Sequence, residues 1–296
     1  MVSAIIPAYR AAHTICRAID SVLAQTEPAK EIIVVDDGSP DDLKSAVARY
    51  GGRLRYLHKP NGGVASARNL GIEAATGSVV AFLDADDHWE PCKLACQMDV
   101  FRRYPQVGLV ASRFYVQTAG DSLCLSRKKV PCDEVLRWQG ERAFRLGCSI
   151  LTGTIAVRRN VLDTHRFIAG LEPAEDRDLW IRLVASTSAY VLSQPLATYV
   201  VEPGSLSRCD IDRDCENMLR VVHRNKGLLT NSELRQWESE VFERWAGVLI
   251  SQRNYRHAFR VAWQRLWRDP WSPVGWWAFT KSGLLSIARV PQAITR

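Results

Sequence analysis

Three carboxylates follow an apolar segment within four residues, at Asp84, Asp86 and Asp87. The preceding run, residues 78–83, is short, apolar and bounded by turn signals, which is typical of a buried strand in a parallel sheet. Asp84 and Asp86 are two residues apart, so they share a face in an extended chain. Adjacent carboxylates repel each other unless a cation lies between them, and Mg²⁺ and Mn²⁺ prefer oxygen ligands. The spacing predicts a metal site and leaves a capped turn as the alternative, since aspartate also favours turns and helix N-termini.

Strands and helices alternate around this segment. Four runs have the composition of buried strands: residues 2–7, 31–35, 53–58 and 78–84. Apolar residues at helical spacing lie between them, for example over 13–25 and 64–75. The alternation predicts a parallel sheet with right-handed crossovers. Ligands of such sheets bind at the carboxyl ends of the strands, where four loops converge: residues 7–10, 36–39, 61–63 and 84–87.

The second half of the chain is less regular. Residues 107–116 predict a strand that leads into a hairpin or loop through Lys129, and residues 134–146 predict a helix. A strand is expected over 150–157, and two short strands are expected around Pro195 within 188–201. Four helices are predicted beyond this region, over residues 210–225, 231–252, 254–268 and 273–289.

Composition limits the classes of protein that this chain could be. The 296 residues are 47% apolar and 24% charged, as in folded globular proteins. The eight cysteines form no pair of CxxC elements, which argues against a structural zinc site. Strand-like sequence begins at Val2 and no apolar run is long enough to span a bilayer, so we expect a cytoplasmic protein with reduced cysteines.

The C-terminal tail has an unusual charge. Residues 253–296 contain eight Lys or Arg and one Asp, so their net charge of +7 equals that of the whole chain. They also contain five of the ten tryptophans. This composition favours an anionic membrane surface, and a self-packing helical bundle is the alternative. We favour the bundle for 231–268 and the membrane for 271–290; no nucleic-acid-binding motif is present.

Five motifs, in order along the chain, resemble those of inverting family-two glycosyltransferases with the GT-A fold. They are residues 5–9, 34–39, 61–63 with 67–71, 84–87, and 175–180. The resemblance implies an α/β fold with a Rossmann-like, mostly parallel sheet flanked by helices. We assign it to residues 1–205 as the catalytic domain, followed by a helical C-terminal region over 206–296.

The resemblance also implies roles for individual residues. The nucleotide-sugar donor would contact six residues: Pro7, Tyr9, Asp37, Asn61, Arg68 and Asp84. Asp86 would bind the metal cofactor, Mn²⁺ or Mg²⁺. Asp87 would either support the metal loop or cap the next helix, and we favour the cap. For Asp37 the alternative is a capped turn, and for Arg68 it is a solvated charge on a helix face.

Asp176 would be the general base that takes a proton from the acceptor hydroxyl. Glu175, Thr152 and Gly153 would bind the acceptor or support the base, and Trp180 would pack in the core. Two alternatives remain. The acidic residues at 175–178 could merely complement a helix N-terminus, and Thr152-Gly153 could be a strand with a close backbone approach.

The sequence therefore predicts a metal-dependent inverting glycosyltransferase. It would move a sugar from a UDP- or dTDP-type donor to a hydroxyl of a glycan or lipid-linked acceptor, in cell-surface polysaccharide or glycoconjugate synthesis. We expect it in the cytoplasm, peripheral to the inner face of the membrane. A nucleotidyltransferase is a rival, but residues 7–10 lack the glycine- and lysine-rich loop that it would need. A non-catalytic nucleotide-binding scaffold on the same fold is the second alternative.

Overall fold

The computed structural model describes residues 1–118, 123–126, 131–201, 210–268, 270–271 and 273–287. The chain divides into two compact units, Met1–Ser205 and Leu206–Arg296. The predicted boundary between residues 205 and 206 falls within 202–209, outside the described residues.

Ten strands of the described residues form one sheet in the first unit. They are β1 (Val2–Ala8), β2 (Glu31–Asp36), β3 (Arg55–His58), β4 (Val79–Phe82), β5 (His88–Trp89), β6 (Val107–Gln117), β7 (Leu123–Leu125), β8 (Val135–Leu136), β9 (Ala156–Arg158) and β10 (Ser188–Val200). The order along the sheet is β3-β2-β1-β4-β9-β6-β10-β5, with β7 paired to β6 and β8 paired to β10.

The half of the sheet formed by β3, β2, β1 and β4 is parallel. Every residue of β1 and β4 is buried. Because helices cover both faces here, these strands are continuously apolar rather than alternating. The predicted α/β fold class, with a parallel sheet that helices connect, is confirmed.

The other half of the sheet is mixed. β9 lies antiparallel to β4 and β6, while β10 is parallel to β6 and antiparallel to β5. Two sequence predictions were wrong here. Ser188–Val200 is one strand, because its pairing with β6 shifts register on either side of Pro195 without ending. The helix predicted over 134–146 begins only at Gly140, since Val135 and Leu136 pair with β10.

The strand predicted over 107–116 is confirmed, and β7 returns antiparallel along it as a hairpin. Parts of this region, residues 119–122 and 127–130, lie outside the described residues, and the predicted end of the loop at Lys129 is among them.

In the described residues of the first unit, seven helices lie on the two faces of the sheet. They are α1 (Ile15–Leu23), α2 (Leu43–Ala48), α3 (Val64–Ala74), α4 (Lys93–Arg103), α5 (Gly140–Ser149), α6 (Arg159–Leu162) and α7 (Glu175–Ser186). α1, α2 and α4 pack in one buried core, and α3, α5, α6 and α7 pack in the other.

The second unit is helical, as predicted. Its helices are α8 (Ile211–Arg224), α9 (Asn231–Ser251), α10 (Tyr255–Arg268) and α11 (Pro273–Ile287). Thr230 and Glu233 form a capping box that fixes the start of α9. Among the described residues, no helix is long and apolar enough to cross a membrane. The end of the predicted membrane segment, residues 288–290, lies outside them.

Candidate active site

The loop after β2 is built around Asp37, which is only 2% exposed. Its Oδ1 accepts hydrogen bonds from Gly62 N at 3.0 Å and Lys59 Nζ at 2.5 Å, and its Oδ2 accepts one from Gly63 N at 2.8 Å. Asn61 Nδ2 donates to the Asp37 carbonyl oxygen at 2.9 Å. The predicted loop residues therefore come together. The contact between Asp37 and a nucleotide base stays a prediction.

Two glycines allow this loop to approach its neighbours closely. Gly38 has a φ of +72°, and a Cβ there would lie 2.7 Å from Asn61 N. Gly63 has a φ of +87° at the start of α3, and a Cβ there would lie 2.8 Å from Glu172 Oε1. Both positions have a left-handed backbone that favours glycine, and at Gly38 a side chain would also meet backbone and displace the loop.

Arg68 joins two of the predicted motifs. It is 4% exposed, which excludes the solvated alternative. Its Nη2 donates to Asp84 Oδ1 at 2.7 Å and its Nη1 donates to Glu175 Oε1 at 2.6 Å. Burial alone would lower the pKa of Arg68, but the two carboxylates raise it above its usual range. The guanidinium also lies 5.2 Å from the ring centre of Phe167. Arg68 thus links the loop after β4 to the start of α7.

Glu175 is buried beside this cation. Burial raises the pKa of Glu175 to about 7, with Arg68 opposing the rise and Asp176 adding to it. Its Oε2 has no hydrogen-bond partner among the described residues. The side chain therefore positions Arg68, and its support of Asp176 stays a prediction.

Asp176 lies partly exposed in the first turn of α7. Its Oδ2 accepts a hydrogen bond from Thr152 Oγ1 at 2.9 Å, and its Oδ1 accepts one from Arg177 N at 2.7 Å. Trp180 Nε1 donates to the same Thr152 oxygen at 3.3 Å. Because the indole can only donate, the single hydroxyl hydrogen of Thr152 must point at Asp176. Trp180 is fully buried, which confirms its predicted place in the core.

Thr152 and Gly153 lie in a 3₁₀ turn, Thr152–Thr154, that precedes β9. The strand predicted over 150–157 was therefore wrong for these residues. Side chains on neighbouring elements hold the turn, because Trp89 Nε1 donates to Gly153 O at 2.8 Å and Gln97 Nε2 donates to Thr154 O at 2.7 Å. These side-chain hydrogen bonds satisfy the carbonyl groups of Gly153 and Thr154, which strand pairing would otherwise satisfy.

Asp87 does not cap a helix, contrary to the prediction. It is 1% exposed, and its Oδ1 accepts a hydrogen bond from Val200 N at 2.9 Å. The next helix begins at Lys93, after Cys92. Burial and the charges of Asp86 and Asp84 raise the pKa of Asp87 well above its usual range. Asp87 therefore ties the acidic loop to the end of β10.

Asp86 is the predicted metal ligand, and its backbone carbonyl accepts a hydrogen bond from Arg17 of α1. Within the described residues, no group of three or more His, Cys, Asp or Glu is placed to hold a metal ion. Mg²⁺ is commonly bound through one or two carboxylates together with substrate phosphates, so the oxygen donors of this loop fit such an ion. One carboxylate oxygen of Asp84, Oδ1, already accepts a hydrogen bond from Arg68.

Pro7 and Tyr9 lie at the end of β1. Pro7 is buried within the strand and pairs with Val35, whereas Tyr9 is 44% exposed. The Arg10 guanidinium lies 5.3 Å from the centre of the Tyr9 ring. An exposed aromatic face at a strand's carboxyl end is suited to stacking on a planar ligand.

A model described as Glycosyl transferase family 2 matches residues 3–165, more than half of the chain. The chain belongs to glycosyl transferase family 2. The amylovoran biosynthesis glycosyltransferase AmsB of Erwinia amylovora, a relative, is 34% identical over 212 residues, which cover 67% of this chain and 68% of AmsB. A glycosyltransferase of Rickettsia prowazekii is 31% identical over 199 residues, covering 64% of this chain and 60% of that protein.

The matches span between 16% and 60% of the length of the first curated relatives. Among solved structures, S. aureus TarS 1-349 in complex with UDP-GlcNAc has a TM-score of 0.61 at 20% identity, covering 82% of this chain and 72% of that one. Its complex with UDP has a TM-score of 0.62 at 18% identity, covering 97% and 91%. These likenesses show the fold, which is of the GT-A type.

Sequence reasoning missed two basic residues of this family-2 site. Lys59 binds Asp37, and Arg17 binds the backbone of Asp86. Lys59 could have been found, since it is the one lysine in the turn-rich loop that precedes α3. Arg17 carries no local signal, because it lies on a helix 69 residues from its partner.

Proposed function

We propose that this protein is an inverting glycosyltransferase that moves a sugar from a UDP- or dTDP-type donor to a hydroxyl of a glycan or lipid-linked acceptor. One observation carries the proposal: Arg68 bridges Asp84 and Glu175. The bridge brings the acidic loop, on the expected donor side, next to the helix turn that bears Asp176. Family membership supports transfer as the activity, and the TarS complexes with UDP and UDP-GlcNAc support the donor class. The relation to AmsB supports a role in cell-surface polysaccharide or glycoconjugate synthesis.

The donor would lie along the carboxyl edge of the parallel strands. Tyr9 would stack on the base beside Pro7, the loop of Asp37 and Asn61 would contact the nucleoside, and Asp84 would bind the ribose or sugar. Arg68 would fix the orientation of Asp84 through their hydrogen bond.

Asp86 would hold the metal cofactor. A Mn²⁺ or Mg²⁺ ion bound there would neutralise negative charge on the leaving diphosphate. Arg17 keeps the loop in place through the Asp86 carbonyl, and Asp87 does so through Val200 N. These two hydrogen bonds to distant elements would hold the loop, so that Asp86 is in position before substrate binds.

Asp176 would take the proton of the acceptor hydroxyl as that oxygen attacks the anomeric carbon. A single displacement inverts the configuration and needs no enzyme nucleophile. Thr152 would orient the carboxylate, and the turn at Gly153 would lie beside the acceptor. The partial exposure of Asp176 supports access by an acceptor, whereas Glu175 is buried and would act through Arg68.

We further propose a cytoplasmic location with the second unit against an anionic membrane surface. The support is the tail's excess of basic residues and the exposure of its tryptophans, for example 80% for Trp267 and 90% for Trp271. A lipid-linked acceptor would then be reached at the membrane.

UDP binding measured by calorimetry, with and without Mn²⁺, tests the donor and metal sites in the wild type and in Asp86→Ala. We expect metal-dependent binding that the substitution abolishes. UDP binding that does not depend on Mn²⁺ would contradict the proposed role of Asp86 as the metal ligand. Absence of binding to UDP and dTDP would overturn the donor class. Binding without turnover of any sugar nucleotide would favour the scaffold alternative.

A further inference from the structure

Helices α10 and α11, the last two that the structure describes, combine an unusual set of surface residues. Neither α10 nor α11 contains an acidic residue. Four of their tryptophans are exposed: Trp263 by 52%, Trp267 by 80%, Trp276 by 48% and Trp277 by 54%. Tryptophan is highly buried on average in globular proteins, so a cluster of exposed tryptophans indicates an interaction surface.

A groove of about 430 Å³ lies between α10 and α11. It is lined by Phe259, Arg260, Trp263, Gln264 and Phe279. The rings of Phe259 and Phe279 are 4.3 Å apart between centres, and Trp263 lies 5.6 Å from Phe279. A Cβ on Gly283 would lie only 3.3 Å from the Phe259 ring, so glycine permits the close approach of the helices. The groove is therefore a formed, aromatic slot of the size that small apolar ligands occupy.

The basic residues around the groove differ in their roles. Arg265 is buried and bound to Ser239 at 2.8 Å, so it belongs to the packing of the helices. Arg260 is exposed at the groove, and Lys281 is exposed with its ammonium 4.4 Å from the centre of the Trp277 ring. The arrangement offers a cation beside an apolar slot, which complements an anionic head joined to a hydrocarbon chain.

We propose that α10 and α11 form a lipid-binding face, in which the groove takes one acyl chain of an anionic phospholipid and Arg260 binds its phosphate. The flanking tryptophans then lie at the level of the headgroups, where amphipathic rings are favoured. The inference rests on the membrane partner proposed above and gives it a defined site. It depends on no step of sugar transfer.

Vesicle flotation of the full chain tests the phosphate contact. We expect binding to vesicles of equal parts phosphatidylcholine and phosphatidylglycerol, and none to phosphatidylcholine alone. Arg256, one turn before Arg260 and also exposed, supplies the matched control. Arg256→Gln removes one surface charge and should weaken binding about fivefold. Arg260→Gln should weaken it more, because it also loses the phosphate. If Arg256→Gln and Arg260→Gln weaken vesicle binding equally, or if binding does not require the anionic lipid, the proposed phosphate site is wrong.

The acyl chain is tested with phospholipids brominated along the chain, since bromine quenches nearby tryptophan. We expect quenching in the wild type and a clear reduction of it in Trp263→Phe. Trp237→Phe, which removes a buried tryptophan of α9, should leave the quenching unchanged. An equal response of both variants contradicts insertion at the groove.

A second copy of the chain is the other occupant that such a face could take. Sedimentation without lipid distinguishes it: we expect the same species for the wild type and Trp263→Ala. A dimer that Trp263→Ala dissociates, together with no vesicle binding, would assign the face to self-association instead. None of these measurements follows transfer, so their outcome is separate from that of the glycosyltransferase proposal.

Discussion

At the amino ends of β1, β2 and β4, the carboxylate of Glu31 is held very differently from those of Asp87 and Glu175 at the opposite edge of the sheet. Glu31 Oε1 accepts hydrogen bonds from Ser3 Oγ at 2.6 Å, Thr76 N at 2.7 Å and Thr76 Oγ1 at 2.6 Å. Burial would raise the pKa of Glu31, but these bonds outweigh it and lower the pKa to about 2.

At the carboxyl ends, burial raises the pKa of Glu175 to about 7 and that of Asp87 well above its usual range. Glu175 Oε2 and Asp87 Oδ2 are buried and have no hydrogen-bond partner in the part of the chain that the structure describes. Glu31 is therefore stabilised in its charged form by hydrogen bonds, whereas Glu175 and Asp87 each retain an unused acceptor and a raised pKa. That contrast is typical of a structural site set against a functional one.

The largest expected effect separates chemistry from binding at the carboxyl edge. Asp176→Asn keeps the shape of the side chain and removes the base, so transfer should fall about 1000-fold while UDP affinity stays the same. Steady-state rates and calorimetry on the same preparation measure both. Asp163→Asn, at an exposed carboxylate, is the control and should be normal. Turnover near the wild-type rate in Asp176→Asn would refute the assignment of the base.

Arg68→Met should give the largest loss of stability. It leaves Asp84 and Glu175 without their buried cation, and breaking such a pair costs about 3–5 kcal/mol. Urea unfolding measures the difference in free energy. Arg102→Met is the control, because Arg102 forms an exposed ion pair with Glu27 whose loss should cost ~0.5 kcal/mol. Comparable losses in the two variants would show that the bridge adds little to stability.

The parallel half of the sheet and the loops at its carboxyl edge could be predicted from the sequence, because they depend on local patterns. Continuous β-branched runs predicted the parallel strands, and the order of the strands then placed the loops of Asp37 and Asp84 at one edge. The rest depends on contacts between distant residues. Arg68 is buried by partners that lie 16 and 107 residues away, and Asp87 binds a backbone 113 residues away. A helix-face arginine or a turn aspartate has the same local sequence whether or not such partners exist.

Glu31→Gln tests the hydrogen-bonded cluster at the amino ends of β1, β2 and β4. The amide weakens the cluster of accepted hydrogen bonds, so unfolding should become easier by about 2 kcal/mol at neutral pH. The rate of transfer per folded molecule should not change, since the residue lies at the far ends of the strands. A loss of transfer by Glu31→Gln at normal stability would contradict the conclusion that Glu31 serves only the fold.

The same residue predicts a pH dependence. The pKa of Glu31 is lower in the folded state than its ordinary value of 4.5, so its contribution to stability is complete above that pH. The contribution is lost as the pH falls from 4.5 towards about 2, where the folded carboxylate takes up a proton. Urea unfolding across this window should show a loss in the wild type that is smaller in Glu31→Gln. Parallel losses in both proteins would assign the acid sensitivity to other carboxylates.

Thr152 gives the prediction with the smallest expected effect, and it tests the hydrogen bond to Asp176 specifically. Thr152→Val keeps the volume of the side chain but removes the hydroxyl that donates to Asp176, and a hydrogen bond to a charged group of this kind corresponds to about a tenfold change in kcat. Thr152→Ser restores the donor and should recover the rate. A purely structural role for Thr152 predicts lower stability with an unchanged kcat per folded molecule, because the turn at Thr152–Thr154 is also held by Trp89 and Gln97. The kcat of the folded enzyme, compared between Thr152→Val and Thr152→Ser, therefore decides whether this hydroxyl acts on the base or only on the fold.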